Sequence, residues 1–273
     1  MISRAAAISV LLSSVIKAQA AACGAYVVPG VSGAFTEHVV TDFKPLDSRQ
    51  NAVSWLSSNG YWVSAYAIED NPVPRLFQQE NVKFGNGTLD LRVKAYSGSG
   101  YVLSSEFGTA ATFQYASVRT VQKSSRSPGI VEGNFLYGGQ FLETDFEILT
   151  STIDKSSACV PAGIWATNQP TNTGVQKAYK TIPFPFDPRA GFHEYRIDWV
   201  PGATIFYLDG VEVARLTQSV PNAAAQWVWN FWSNGDPCWS AGPPTSDSIT
   251  QIQSIEIYKG YTATVPASGV CHI

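Results

Sequence analysis

Glu143-Thr144-Asp145-Phe146-Glu147 decides how this chain is read. Three carboxylates sit at alternate positions. Leu142, Thr144, Phe146 and Ile148 fall on the other parity. A period of two is the signature of a β-strand, here with one acidic and one largely apolar face. Like charges on neighbouring same-face positions repel, so a chain that keeps such a row usually uses it. Paired carboxyl groups about 5–5.5 Å apart, one a nucleophile and one an acid/base, cleave glycosidic bonds with retention. Positions four apart span roughly 13 Å along a strand. Both Glu side chains would therefore have to lean toward Asp145. A solvated acidic face or an oxygen-rich calcium site would give the same triplet.

Outward from this strand, further strand signals recur and no helix-length amphipathic segment stands out. Expected strands cover 89–93, 117–121, 130–137, 142–149, 193–200, 204–208, 211–216, 227–232 and 252–258. Asp209-Gly210 between two of them is a two-residue hairpin signal. Many short strands broken by Gly and Pro predict an all-β fold, an antiparallel two-sheet β-sandwich of jelly-roll type. Along 193–200, His193, Tyr195, Ile197 and Trp199 share one face, to be placed in either core or cleft. Glu194, Arg196 and Asp198 share the other, expected to be a solvated ladder of alternating charge. Along 227–232, Trp227, Trp229 and Phe231 oppose Val228, Asn230 and Trp232, and one of these faces is expected to be core.

The first residues read as a secretory signal. Arg4 precedes the mostly apolar stretch 5–16, and Ala18-Gln19-Ala20 is a small-x-small cleavage pattern. The stretch falls well short of the roughly 20 residues that span a membrane. Residues 1–20 are expected to be a signal peptide and 21–273 one domain, giving a secreted, extracellular or wall-associated product. Cleavage after Ala20 is the first choice and Ala22 the next. Losing Arg4 and Lys17 would move the net charge from −3 to −5. A mildly acidic chain of this kind does not look like a nucleic-acid binder, and no membrane association is expected. Cys23, Cys159, Cys238 and Cys271 imply two disulfides with three possible pairings. Cys23 and Cys271 lie at the two ends of the mature chain and would tie them together, leaving Cys159 with Cys238. The spacing fits no zinc pattern, so no metal or other cofactor is expected. Asn86-Gly87-Thr88 is a glycosylation sequon in a turn.

Four stretches carry a resemblance to glycoside hydrolase family 16, the concanavalin A-like jelly-roll enzymes acting on β-glucans. They are Glu143-x-Asp145-x-Glu147; Ser127-Pro128-Gly129-Ile130-Val131 with Phe135-Leu136-Tyr137; Phe192-His193-Glu194-Tyr195 through Asp198-Trp199-Val200-Pro201 to Phe206-Tyr207-Leu208-Asp209-Gly210; and Asn230-Phe231-Trp232-Ser233-Asn234-Gly235 followed by Trp239 and Gly242-Pro243-Pro244. Together they cover roughly residues 80–260, and the chain resembles secreted fungal members. The resemblance implies that Glu143 is the nucleophile, Glu147 the acid/base, and Asp145 the group that hydrogen-bonds the nucleophile. It places Trp232, Trp239 and Asn230 near the substrate cleft and gives His193 a supporting role near the carboxylates. Trp165, which follows the acidic strand, is also expected to border the cleft. Thr144 departs from the family pattern, where Ile is common, and its inward hydroxyl needs a partner. No Cys-rich chitin-binding module or lipid-anchor tail of the kind carried by some wall-remodelling relatives is expected, which lowers the transglycosylase reading.

The expected activity is that of a retaining endo-β-glucanase on β-1,3 or mixed β-1,3/1,4 glucan. The expected partner is the polysaccharide alone, met by a monomer. A wall-glucan transglycosylase and a non-catalytic glucan-binding lectin are the alternatives.

Overall fold

The computed structural model describes residues 23–273. The signal-peptide expectation lies outside the described residues. Two largely antiparallel sheets pack face to face, as the strand pattern predicts, each with one parallel pair, Ala25–Val27 with Val270–His272 and Arg75–Phe77 with Val102–Thr109. The cleft-bearing sheet runs in the order Ala178–Ile182, Ile164–Asn168, Glu143–Leu149, Val131–Tyr137, Gln226–Trp232, Val102–Thr109, Arg75–Phe77 and Ala67–Ile68, with Tyr61–Val63 also paired to Val102–Thr109. The outer sheet runs Val211–Leu216, Ala203–Leu208, His193–Val200, Ala116–Lys123, Ser248–Thr262, Ala34–Asp42, Ala25–Val27 and Val270–His272. Leu89–Val93 also pairs with Ser248–Thr262, and Val82–Phe84 pairs with Leu89–Val93. The one α-helix among the described residues, Ala52–Ser58, spans only seven residues. It begins at Asn51, whose side chain accepts from the Ser54 amide, the usual way to satisfy an orphan N–H at a helix start. Among the described residues no helix is long and apolar enough to cross a membrane.

The core lies between the sheets. Trp227, Trp229 and Phe231 point into it and are fully buried, which assigns the faces of that strand. Trp229 stacks on Phe107 with centroids 4.9 Å apart. The three fully buried indole N–H groups between the sheets find acceptors, as burial demands. Trp227 donates to Asn134 Oδ1 at 2.6 Å, Trp229 to Thr120 Oγ1 at 2.9 Å and Trp199 to the Pro221 carbonyl at 2.7 Å. The inward Thr144 hydroxyl donates to Asn168 Oδ1 at 2.7 Å. Thr204 Oγ1 donates to the same oxygen, so the departure from Ile is compensated by a small buried network.

Two expectations change. The charged face of His193–Val200 is not a solvated ladder: Arg196 and Asp198 are buried. A second apolar layer around Val28, Phe35, Tyr207 and Tyr258 covers them. Arg196 Nε donates to Asp198 Oδ1 at 2.8 Å, and its Nη2 donates to the Pro29 carbonyl at 2.6 Å. The guanidinium carbon lies 4.0 Å from the Tyr207 ring centroid. Such a pair tolerates burial because the charges meet each other directly and a backbone carbonyl takes a further guanidinium N–H. The sequence parity was right, but the segment 23–31 folds over that face. Second, the last expected strand runs much further, over Ser248–Thr262, because it is flanked in turn by Leu89–Val93, Ala34–Asp42 and Ala116–Lys123.

Disulfides join Cys23 to Cys271 and Cys159 to Cys238, the expected pairing. The first ties together the adjacent parallel strands Ala25–Val27 and Val270–His272. The second joins the loop after Glu143–Leu149 to the loop carrying Trp239.

Candidate active site

The cleft occupies the outward face of the 143–149 sheet and has a volume of about 600 Å³, within the range of ligand sites. Its register explains its floor. Glu147 pairs with Gly133, Gly133 with Asn230, and Asn230 with Glu106. One row therefore reads Glu147, Gly133, Asn230, Glu106 across four strands. The next row reads Asp145, Phe135, Val228, Gly108. Two glycines keep this floor open: a Cβ on Gly133 would meet Asn230 Oδ1 at 2.4 Å, and one on Gly108 would meet the Trp62 ring at 2.3 Å.

Glu143, Asp145 and Glu147 all line the cleft, so the period-two reading places them correctly. Asp145 is only 3% exposed. Burial raises all three carboxyl groups, since a low-dielectric site disfavours the charged form. For Asp145 the charges of Glu147 and Glu143 add to burial and carry it well above the ordinary value. Contact between the Glu143 and Asp145 carboxyl groups lowers the former and raises the latter. Gln169 Nε2 donates to the other Asp145 oxygen at 2.9 Å. Glu147 is pushed up to about 7, first by burial and then by the Glu143 charge, while Lys177 and a hydrogen bond from Trp239 pull it down. Burial therefore favours the protonated form at all three positions, and the Asp145 bond opposes that at Glu143.

Of the other expected residues, Asn230 and Trp232 line the cleft. Trp239 bonds Glu147, and its loop is pinned by Asp236, whose Oδ1 accepts from the Cys238 and Trp239 amides. Trp165 is the cross-strand partner of Glu147 but is only 7% exposed. It packs edge-on to Trp239 with centroids 5.0 Å apart and stacks on Tyr179 at 5.5 Å, so it supports the cleft border from beneath. His193 is a correction. It sits on the outer sheet, where its strand partner Gln122 points into the core and donates to Glu132. Its Nδ1 lies 2.7 Å from Asp209 Oδ2 and its ring stacks on Phe186. It is absent from the residues lining the cleft. The parity of its strand placed it on the inner face, and that face belongs to the sheet without the cleft.

Sequence reading missed the far end of the cleft. Glu106 is buried there, accepts from Ser64 Oγ at 2.6 Å and Tyr66 OH at 2.9 Å, and is bonded by Asn230. Burial raises its carboxyl despite these donors and the nearby Arg75. The Arg75 guanidinium carbon stands 3.9 Å from the Trp232 ring centroid, a cation–π contact, and Nη1 lies 2.9 Å from Asp70 Oδ2. The alternation Leu103, Ser105, Phe107 against Ser104, Glu106, Gly108 was the available signal for this strand.

Residues 70–246 match Glycosyl hydrolases family 16. A β-glucanase of Paenibacillus macerans is 29% identical over 163 residues, 58% of this chain and 64% of that protein. The match therefore spans just under two thirds of that relative. Among solved structures, a prokaryotic β-1,3-1,4-glucanase (lichenase) derived from a mouse hindgut metagenome superposes with a TM-score of 0.64 at 19% identity, covering 83% of this chain and 99% of that one. The apo Crh5 transglycosylase superposes with a TM-score of 0.57 at 19% identity, covering 84% and 86%. These likenesses extend the fold over nearly the whole described chain, and the family match spans the carboxylate strand and most of the cleft. The chain belongs to glycosyl hydrolases family 16.

Proposed function

We propose that this protein is a secreted retaining endo-β-glucanase that cleaves β-1,3 or mixed β-1,3/1,4 glucan. The observation that carries the reading is the placement of three carboxyl groups, Glu143, Asp145 and Glu147, on one face of one strand, all lining one cleft. Glu143, beside Asp145, attacks the anomeric carbon and forms a covalent glycosyl-enzyme. Glu147, still protonated near neutral pH, gives its proton to the departing oxygen and then takes one from the attacking water. Asp145 keeps Glu143 oriented and relieves the repulsion that three adjacent anions would create. The apolar faces of sugar rings suit Trp232, and their hydroxyls suit Asn230 and Glu106. The β-glucanase names of the matched relatives support this substrate class.

The test is incubation of the purified protein with a panel of defined β-glucans, sizing products both shorter and longer than the starting chain, alongside Glu143→Gln. Shorter products from the wild type, and loss of nearly all cleavage with glucan binding retained in the variant, are expected. Binding without cleavage or lengthening would favour a lectin and remove the enzyme reading. A second reading, wall-glucan transglycosylase, draws on the fold likeness to Crh5 transglycosylase and predicts lengthened products.

A further inference from the structure

Two parts of the cleft border depend on loops. One loop carries Trp239, which bonds the acid Glu147. The other, residues 70–74, leads into Arg75. Asp70 Oδ2 lies 2.9 Å from Arg75 Nη1, and the guanidinium rests on the Trp232 ring. Arg75 and Trp232 both line the cleft, and Asn234 does not.

Asn234 is buried between the two loops. Its side-chain nitrogen donates to Asp70 Oδ2 and to the Asn71 carbonyl, each at 3.2 Å. Its side-chain oxygen accepts from the Asp236 amide and from Ser240 Oγ, each at 3.1 Å. Its own carbonyl accepts from the Val73 amide at 2.9 Å. The orientation of the side-chain amide is forced. A backbone N–H only donates, while a carboxylate and a carbonyl only accept. A flipped amide would face like groups on both sides. Gly235, at φ +73°, turns the chain back so that the Asp236 N–H reaches Asn234. Asp236 then takes the Cys238 and Trp239 amides on its Oδ1. One side chain thus reaches Arg75 through Asp70 and Trp239 through Asp236.

We propose that Asn234 is a positioning residue for glucan cleavage, holding the Trp239 loop against the acid with its oxygen and the Arg75–Trp232 wall with its nitrogen. The acid and the wall that meets the substrate then keep one mutual geometry. This inference rests on the glucanase reading and adds to it a residue outside the cleft.

The test is steady-state kinetics on a β-glucan of the linkage the wild type cleaves, with kcat and KM separated and kcat/KM followed through its alkaline limb. Asn234→Ala cuts both arms. A loosened Trp239 no longer supports the Glu147 carboxylate, so the limb should move up by roughly half a pH unit or more. The charges acting on Glu147, those of Glu143 and Lys177, are untouched by this change. A loosened Arg75 and Trp232 must be ordered on binding, so KM should rise about fivefold. Asp70→Ala cuts the nitrogen arm alone and should raise KM to a similar degree with the limb in place. The double variant should raise KM no further than the larger single change, since both cut one link. Asn234→Asp keeps the acceptor side and sets a second carboxyl group against Asp70. It should behave as Asp70→Ala does, and it stands in for the alanine variant if that one does not fold.

Loss of folding stability alone moves neither KM nor the limb. A fixed limb or an unchanged KM in Asn234→Ala therefore overturns the proposal. So do KM increases that multiply in the double variant, and a wild-type KM in Asn234→Asp. A wild type that cleaves no glucan overturns the glucanase reading, and this role with it.

Discussion

Gly133 faces Asn230 across a strand pair so closely that a methyl group on it would sit 2.4 Å from Asn230 Oδ1. The missing side chain lets Asn230 reach Glu106 and leaves the floor beside Glu147 clear. Gly133→Ala is therefore expected to displace Asn230, cost about 1–3 kcal/mol of stability as an overpacked site does, and lower kcat/KM on glucan at least as far as Asn230→Ala. Thermal melting and steady-state kinetics on the two variants check this. Unchanged melting and kinetics in Gly133→Ala would show that the floor yields without cost.

The proton on Glu147 gives a pH dependence with a definite sign. Its carboxyl is raised to about 7 by burial and the Glu143 charge. The acid form is lost above that value, so kcat/KM on glucan should fall about tenfold per pH unit on the alkaline side. Lys177 lowers Glu147. Lys177→Met should then move the alkaline limb to higher pH. A limb that moves down or stays fixed would detach Lys177 from the acid.

Glu147→Gln separates protonation from attack. Cleavage of glucan should drop by about three orders of magnitude, the scale of a lost general acid. An aryl glycoside with an acidic phenol needs little protonation and should lose far less in the burst that forms the glycosyl-enzyme. Equal losses on both substrates would place Glu147 outside the acid role.

Glu132 is a second buried carboxyl group, between the sheets rather than in the cleft. It accepts from Gln122, Ser124, the Ser125 amide and Thr250. Burial still raises it from 4.5 to about 7. A carboxyl raised in the folded state binds its proton more tightly there than in the unfolded chain. Its stabilising contribution is full below the unfolded value near 4.5 and is lost as pH climbs to about 7, a decline of at most about 3 kcal/mol. Glu132→Gln keeps the shape and carries no charge. It should flatten that decline, melting closer to its acid value at pH 8 than the wild type does. Parallel melting curves against pH would rule this out.

Removing the Cys159–Cys238 disulfide by paired Ser substitutions should destabilise the protein by about 4 kcal/mol on the chain-entropy account, given the 79-residue separation. The loop it pins carries Trp239, so glucan cleavage should fall at temperatures where the fold persists. Full activity with lowered melting would separate the loop from the acid.

The alternation of residues 142–149 determined that the three carboxylates share one strand face, and the Trp227 to Trp232 alternation that one of its faces is core. Both follow because side chains of a strand alternate regardless of what surrounds it. The count and placement of the Cys residues likewise anticipated both disulfides. Which sheet a face looks onto was not a local property. His193 and Glu143 sit on strands of similar pattern, yet one faces the core and the other the cleft, because layer order depends on pairings between distant segments. Arg196 and Asp198 read as solvated until residues 23–31 folded over them. Glu106, Arg75 and Tyr179 come from segments far from the carboxylate strand, and only sheet order brings them to its two sides. The sequence by itself determined the chemistry of one strand; the tertiary structure decided which groups surround it, since burial and approach through space, not spacing along the chain, set the charge and reach of each side chain.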